Sequence, residues 1–363
     1  MPPFRADHVG SLLRPGELSR ARADHAAGRI AREELRRIED TAVVRAVRMQ
    51  QDIGLQGVTD GEFRRHDWLM DFKFGIGGVE RLDAAAVKVP FRSESGAVDW
   101  SFEPYRIGGR LHHKGAIFGE DFTFLRSATQ ATPKLTIPSP SMMHYPGGRG
   151  IDRAVYPDME QYFADLAQVY VDEIAALGKL GCTYLQMDDT SLAMLNDPAR
   201  RAAIGQGADT DHLRYIELFN VVMRAKPAGM TICTHLCRGN FRSAWLAEGS
   251  YEHVAEAMFS ELAVDGFFLE YDDERSGDFA PLRFVPKGRR IVLGLVTTKK
   301  SALESKDDLK RRIDAAAKYV PLDQLCVSPQ CGFASTAEGN LLTLDDQIAK
   351  LRLVVETARE VWG

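Results

Sequence analysis

Eight short apolar runs, mostly separated by stretches of helical periodicity, constrain this chain more than any other feature. They cover residues 6–12, 57–62, 135–137, 183–189, 230–237, 266–271, 290–296 and 325–327. Between them, apolar residues repeat at helical spacing. In 32–53 these are Leu35, Ile38, Ala42, Val43, Ala46, Val47 and Met49, with Gly54 as the stop. Further helices are predicted from about Pro15 and over 158–180, 211–223, 251–262, 307–319 and 345–361. Strand–helix alternation of this length implies a parallel sheet closed on itself, an α/β (β/α)8 TIM barrel. The rival is an open doubly wound sheet, which a G-x-G-x-x-G between a strand and a helix would favour, and no such motif occurs. Gly147-Gly148-Arg149-Gly150 follows Pro146 rather than a strand and reads as a loop.

The alternation breaks once. Residues 72–132 carry turn glycines (Gly75, Gly77, Gly78) and short segments such as Val87-Lys88-Val89-Pro90-Phe91 and Trp100-Ser101-Phe102. Strands and turns without intervening helices predict an antiparallel insertion after strand two, closed by a helix over 115–128. The expectation is one catalytic barrel over 1–363 with the insertion 72–132 inside it.

Composition excludes several classes of function. A net charge of −5 leaves no electrostatic footprint for nucleic acid. No apolar run is long enough to span a bilayer, and the N-terminus lacks the apolar core of a signal peptide. Five scattered cysteines argue against a disulfide framework and for a reducing, cytoplasmic setting.

The chemistry is concentrated at strand ends. In a barrel of this kind these all open on one face. His235 and Cys237 are two apart at the end of strand five and face the same way. Strand six ends in Glu270, and strand eight is followed by Cys331. One imidazole, two thiols and a carboxylate make a zinc set. Two thiolates and a carboxylate leave such a site anionic, which suits holding a thiol as an electron-rich nucleophile better than making hydroxide. Glu62 and Asp188, at the ends of strands two and four, are placed to hold an ammonium group, and Ser11 to meet a carboxylate. Together they describe an amino acid bearing a thiol, such as homocysteine. Glu62 or Lys299 is the candidate to deliver a proton to the leaving group, through water. Arg238, Arg242, Arg275, Lys299 and Lys300 follow strands five to seven and are expected to form a basic rim for an anionic substrate tail.

On these residues the chain resembles the cobalamin-independent methionine synthase family, in its catalytic C-terminal barrel. The matching pieces are Val9-Gly10-Ser11, Asp60-Gly61-Glu62, Gln186-Met187-Asp188, Thr234-His235-Leu236-Cys237, Leu269-Glu270 and Val327-Ser328-Pro329-Gln330-Cys331-Gly332. The likeness covers nearly the whole chain, least clearly the insertion. It implies Zn²⁺ on His235, Cys237, Glu270 and Cys331, and amino-acid contacts from Ser11, Glu62 and Asp188. It also implies methyl transfer from 5-methyltetrahydrofolate to homocysteine, giving methionine. The donor half of the pattern departs from the family. Pro140 stands near the place of a tryptophan after strand three. Asp189-Thr190-Ser191 replaces Glu-Pro-Ala, and Thr297-Thr298-Lys299-Lys300 replaces a segment with an Asp and a His. The chain therefore reads as a short single-barrel form whose donor is methyltetrahydrofolate or another methyl compound, such as a methylated corrinoid. The alternative is a zinc alkyltransferase acting on a different thiol, of the coenzyme M or epoxide-opening type. Its partners are expected to be small molecules, without nucleic acid or membrane.

Overall fold

The structure, a computed structural model, describes residues 1–94, 96–205 and 207–363. In chain order its strands are β1 (Gly57–Val58), β2 (Gly77–Arg81), β3 (Val87–Ser93), β4 (Gly96–Phe102), β5 (Tyr105–His112), β6 (Thr132–Pro138), β7 (Tyr184–Asp189), β8 (Thr231–Leu236), β9 (Gly266–Glu270), β10 (Arg290–Val296) and β11 (Leu325–Pro329). A seven-stranded parallel sheet runs β1-β6-β7-β8-β9-β10-β11 and curls into a half-barrel. Crossover helices follow the predicted periodicity. Arg32–Ile53 ends at Gly54 in the left-handed region, Met159–Lys179 is capped by Asp158, and Leu344–Trp362 begins on a Thr343–Asp346 capping box. No helix of the described residues is long and apolar enough to cross a membrane.

The expected first strand, residues 6–12, does not form: among the described residues this segment joins the ladder only through a parallel bridge from Ala6 to Val327. Three of its carbonyls are taken by side chains instead. Gln186 Nε2 donates to Val9 O at 2.7 Å, Thr59 Oγ1 to Gly10 O at 2.6 Å, and Lys134 Nζ to His8 O. β1 is cut short for a similar reason. The Gln50 amide brackets Thr59, accepting from its N–H and donating to its carbonyl, both at 2.9 Å. The segment 6–12 thus lies between β11 and the end of β1, tied to both.

The alternation of each strand separates two cores. Leu185, Ile232, Phe267, Ile291 and Leu325 face the helices in the large outer core. Their neighbours Tyr184, Cys233, Phe268, Val292 and Cys326 pack with Phe4 and Val9 inside the curl. A buried Lys134–Asp7 pair at 3.1 Å closes this inner plug. Two residues further along three of these strands, on the same side, stand Gln186, His235 and Glu270. The same parity places Ser11 beyond Val9.

The insertion forms two antiparallel pairs, β2–β5 and β3–β4, and Gly119–Ser127 closes it as a helix. Ser95, inside the predicted insertion, lies outside the described residues. Unpredicted short helices, Met70–Gly75, Ser191–Met194 and Pro198–Ile204, fill the loops around the strand ends.

Candidate metal centre

Four side chains meet above the inner plug. One ligand atom each from His235, Cys237, Glu270 and Cys331 lies within 4.8 Å of the others, and all four residues are buried. β8 ends at Leu236, but the Cys237 N–H still donates to Asp189 O at 2.9 Å, so Cys237 keeps the strand's parity. The chain then turns at Gly239, whose φ is +90° and where a Cβ would meet Leu246 at 2.8 Å. Glu270 is fixed through its backbone, its N–H donating to the Tyr251 hydroxyl at 2.9 Å. Cys331 follows β11 in a turn stitched to its neighbours. Gln330 N donates to Val296 O at 2.8 Å, and Asn240 Nδ2 to Gly332 O at 2.7 Å.

The donors are unspent. Among the described residues neither ring nitrogen of His235, nor Glu270 Oε1, has a hydrogen-bond partner, although all three are buried. Buried polar atoms are almost always paired, and leaving them unpaired costs about 1–3 kcal/mol each. Two sulfurs, one imidazole and one carboxylate converge, with Cys237 Sγ accepting also from Gly239 N at 3.3 Å, and they fit a tetrahedral zinc ion by chemistry and number. Cys237 and Cys331 stand 3.5 Å apart, sulfur to sulfur, as free thiols. The Cys237 thiol beside it holds Cys331 well below the usual thiol range, and Cys237 is pushed up in return. Burial raises Glu270 to about 7, against the pull of Lys299.

A cavity of about 590 Å³ opens over this cluster. His235, Cys237 and Cys331 line it, as do Ser11, Glu62 and Asp188, whereas Glu270 stands behind. Ser11 Oγ accepts from Ala334 N at 3.3 Å and lies so close to Gly332 that a Cβ there would meet it at 1.9 Å. Glu62 has a left-handed backbone at φ 59°, a strained conformation for a side chain of its size. Asp60 Oδ1 fixes that turn by accepting from Glu62 N at 2.9 Å. Thr136 Oγ1 donates to Glu62 Oε1 at 2.7 Å, and Arg65 Nη1 lies 3.7 Å from Oε2. Burial still pushes the Glu62 carboxyl up, with Arg65 opposing. Asp188 accepts from Gln186 Nε2 at 2.7 Å, and burial raises it to about 7, with His235 opposing.

Other strand-end residues go elsewhere. Asp189 accepts from Ser139 and Ser191 and caps Leu192 N, so it braces a turn. Lys299 is buried, 3.8 Å from Asp272, and lines a second cavity of about 540 Å³ rather than the first. Arg242, Arg275 and Lys300 line that second cavity too, and the two cavities share no lining residue. Arg238 belongs to neither rim. Its guanidinium is buried, donating to Glu270 O and Gly249 O at 2.8 Å each, with its carbon 4.1 Å from the Tyr251 ring centroid. The expected basic rim is therefore four residues, and it does not face the metal cluster's cavity.

Sequence reading missed the roof. One face of the β3–β4 hairpin covers the cavity with Val89, Phe91, Trp100 and Phe102, and Trp68, Tyr105 and Tyr145 complete an aromatic lining. The available signal was the alternation Val89-x-Phe91 and Trp100-x-Phe102, which marks one apolar face of a two-stranded ribbon.

Residues 135–360 match the family described as the catalytic domain of the cobalamin-independent synthase. The chain is 48% identical over 365 residues to the uncharacterized protein YxjH of Bacillus subtilis (strain 168), covering 99% of this chain and 95% of that one. It is 25% identical over 350 residues to the methionine synthase of Pyrococcus abyssi, covering 95% and 88%. The crystal structure of a putative vitamin-B12 independent methionine synthase from Listeria monocytogenes superposes with a TM-score of 0.79 at 38% identity, covering 99% and 98%.

Proposed function

The chain belongs to the cobalamin-independent methionine synthase family, matching its catalytic domain, and from that premise we propose that it is a zinc-dependent methyltransferase that methylates the thiol of homocysteine. The observation that carries this reading is the set of four buried, converging donors, with the imidazole of His235 and Oε1 of Glu270 unpaired, three of them lining a cavity that also holds Ser11, Glu62 and Asp188. We read residues 6–12 as standing in the place of the eighth strand of a single (β/α)8 barrel over 1–363, with 72–132 as its insertion.

Zinc held by His235, Cys237, Glu270 and Cys331 would lower the pKa of a thiol that joins it and keep that sulfur nucleophilic. The residues around it select the thiol. Glu62 and Asp188 hold the α-ammonium, which charge-assisted bonds favour strongly in a buried site. Ser11 and its backbone meet the α-carboxylate. Two acids in this place favour an ammonium-bearing thiol over a sulfonate-bearing one, which ranks homocysteine above the coenzyme M type of acceptor. The aromatic roof excludes water and holds the methyl donor over the sulfur. In the transfer the S–CH₃ bond forms as the donor–CH₃ bond breaks. A folate donor leaves as a poor anion unless its nitrogen gains a proton; the proton given up by the homocysteine thiol is the one assigned to it, relayed through water past the Glu62 carboxylate. Lys299 is assigned an indirect role, its charge offsetting the anionic donor set from the far side of Glu270.

The test is methionine formation from homocysteine with the donor varied: methyltetrahydrofolate, its polyglutamate forms and a methylated corrinoid. Zinc content and activity are expected to rise and fall together across chelation and reloading. Full activity in zinc-free protein, or methylation of coenzyme M in preference to homocysteine, would overturn the reading.

A further inference from the structure

The ladder between β8 and β9 stops one residue short of two metal donors. Its last partners are Leu236 and Leu269, and the next residues along the two strands are Cys237 and Glu270. Each of these is held on its outer side. Cys237 N donates to Asp189 O at the end of β7, and Glu270 is partnered with Gly294 on β10. The ladder does not extend across the seam between them.

Two buried side chains fill that seam. The hydroxyl of Tyr251, which precedes the helix Glu252–Glu261, accepts from Glu270 N at 2.9 Å and from Arg238 Nη1 at 3.0 Å. Its own hydrogen faces Leu236 O and Glu270 O, at 3.4 Å each. A hydroxyl has one donor and two acceptor sites, so its capacity is filled. Arg238 Nη1 also donates to Glu270 O, and both backbone polar groups of Glu270 are thereby engaged by this pair. The pair is itself held still. Arg238 O accepts from Leu246 N at 2.9 Å and Ala247 N at 3.0 Å, and the Tyr251 ring packs edge-on to Tyr271 with centroids 5.4 Å apart. A buried arginine is ordinarily matched by a carboxylate. Among the described residues Arg238 makes no ion pair, and its donors go to a hydroxyl and two carbonyls instead.

We propose that Arg238 and Tyr251 are positioning residues for the metal: they stand in for the missing rung and set the spacing between the Cys237 and Glu270 donors. The proposal rests on the metal half of the function above and adds the device that keeps Glu270 in place. Neither residue lines the cavity, so a change in either reaches the chemistry only through the donors it holds. Three acceptors surround the Arg238 head: the Tyr251 hydroxyl, Glu270 O and Gly249 O. A planar fork reaches all three, where the point charge of a lysine does not.

The test is zinc affinity, measured on the zinc-loaded protein by competition with a chromophoric chelator, with no thiol or methyl donor present. The visible spectrum of the cobalt-substituted protein reports the geometry of the donors beside it. Tyr251→Phe removes one hydroxyl at nearly constant shape. It should weaken zinc about 10–100-fold, as losing an outer partner of a metal ligand does, and shift the cobalt bands. Arg238→Met should weaken zinc at least as much, and Arg238→Lys should recover little of the loss. Tyr162→Phe is the control. It removes an equally buried hydroxyl bond, 2.9 Å to Met143 O, and should leave zinc affinity and the cobalt spectrum unchanged. If Arg238→Met does not fold, Tyr251→Phe decides alone. Parent-like affinity and spectrum in Tyr251→Phe, or an equal loss in Tyr162→Phe, overturns the positioning role and leaves the proposed function standing. A parent protein that takes up no zinc overturns the proposed function and the positioning role with it.

Discussion

The floor and the roof of the main cavity are built on opposite plans. The floor is made of strand ends continuing an inner core, and its side chains are cross-tied: Thr136 to Glu62, Gln186 to Asp188, Asn240 to Gly332. The roof is the β3–β4 hairpin, which forms its own two-stranded sheet. It is fastened by two backbone bonds with Trp245, at 2.7 and 2.8 Å from Arg92, and by a small apolar cluster of Phe91, Phe241 and Ala244. A floor held on many sides keeps ligand atoms in place, as a metal requires. A roof held at few points can change shape between relatives without disturbing the floor. On the proposed function, the chemistry belongs to the floor and the choice of donor to the roof.

That division is easiest to break at the floor. Cys331→Ser should empty the metal site and take activity with it, by more than the roughly 10–100-fold that losing an outer partner of a metal ligand costs. Zinc analysis beside the rate of methionine formation checks this. Retention of zinc with full activity would dismantle the floor's role. Thr136→Val is a gentler floor change, removing the 2.7 Å bond to Glu62 at nearly constant volume. A hydrogen bond to a carboxylate contributes about 1.5–3 kcal/mol, so the homocysteine KM should rise about 10–100-fold, with zinc content unchanged. If kcat falls instead and KM holds, Glu62 does not carry the ammonium in the ground state.

The roof answers to a different readout. Trp100→Ala removes a ring that lines the cavity and stacks 5.0 Å from Phe102. Aromatic pairs contribute about 0.5–1.5 kcal/mol beyond burial, so the donor KM should rise about 3–10-fold while the homocysteine KM and the zinc content stay. An equal rise in both KM values would merge floor and roof into one unit.

The same contrast explains what could be read without coordinates. Strand β8 exposes its chemistry in sequence because parity alone places His235 and Cys237 on one side. Arg32–Ile53 occupies the residues its periodicity predicts because it buries one face in regular order, and β10 occupies its apolar run because both of its faces are buried. The roof could not be located this way. Alternation reveals an apolar face on β3–β4 but not what it covers, and its anchor at Trp245 is far away in sequence. The cations failed for a related reason. Arg238 looks like any strand-end arginine until Glu270 O and Gly249 O, from distant turns, claim its donors. Residues 6–12 were expected as a strand and are not one, because no sequence rule says that Gln186, Lys134 and Thr59 side chains will take the place of a ladder.

The smallest expected effect lies at the root of the roof, and it is a matter of stability rather than rate. Asp67 Oδ1 caps the turn into Met70–Gly75, accepting from Leu69 N at 2.7 Å and Met70 N at 2.8 Å, and both of those residues line the cavity. Burial raises this carboxyl from 3.8 to about 6, although the two capping bonds pull the other way. The folded chain therefore binds the proton more tightly than the unfolded one. Below about pH 4 both states are protonated and the group favours folding fully; as pH climbs through 6 the folded carboxyl must ionise in a buried place and that contribution is lost. Asp67→Asn keeps the acceptor and cannot ionise. Its urea midpoint should match the parent near pH 4 and exceed it by pH 7, by at most about 3 kcal/mol in unfolding free energy. Activity per folded molecule should not change. A gap of the same size at both pH values would mean that the cap's geometry, not its charge, governs how the roof is rooted.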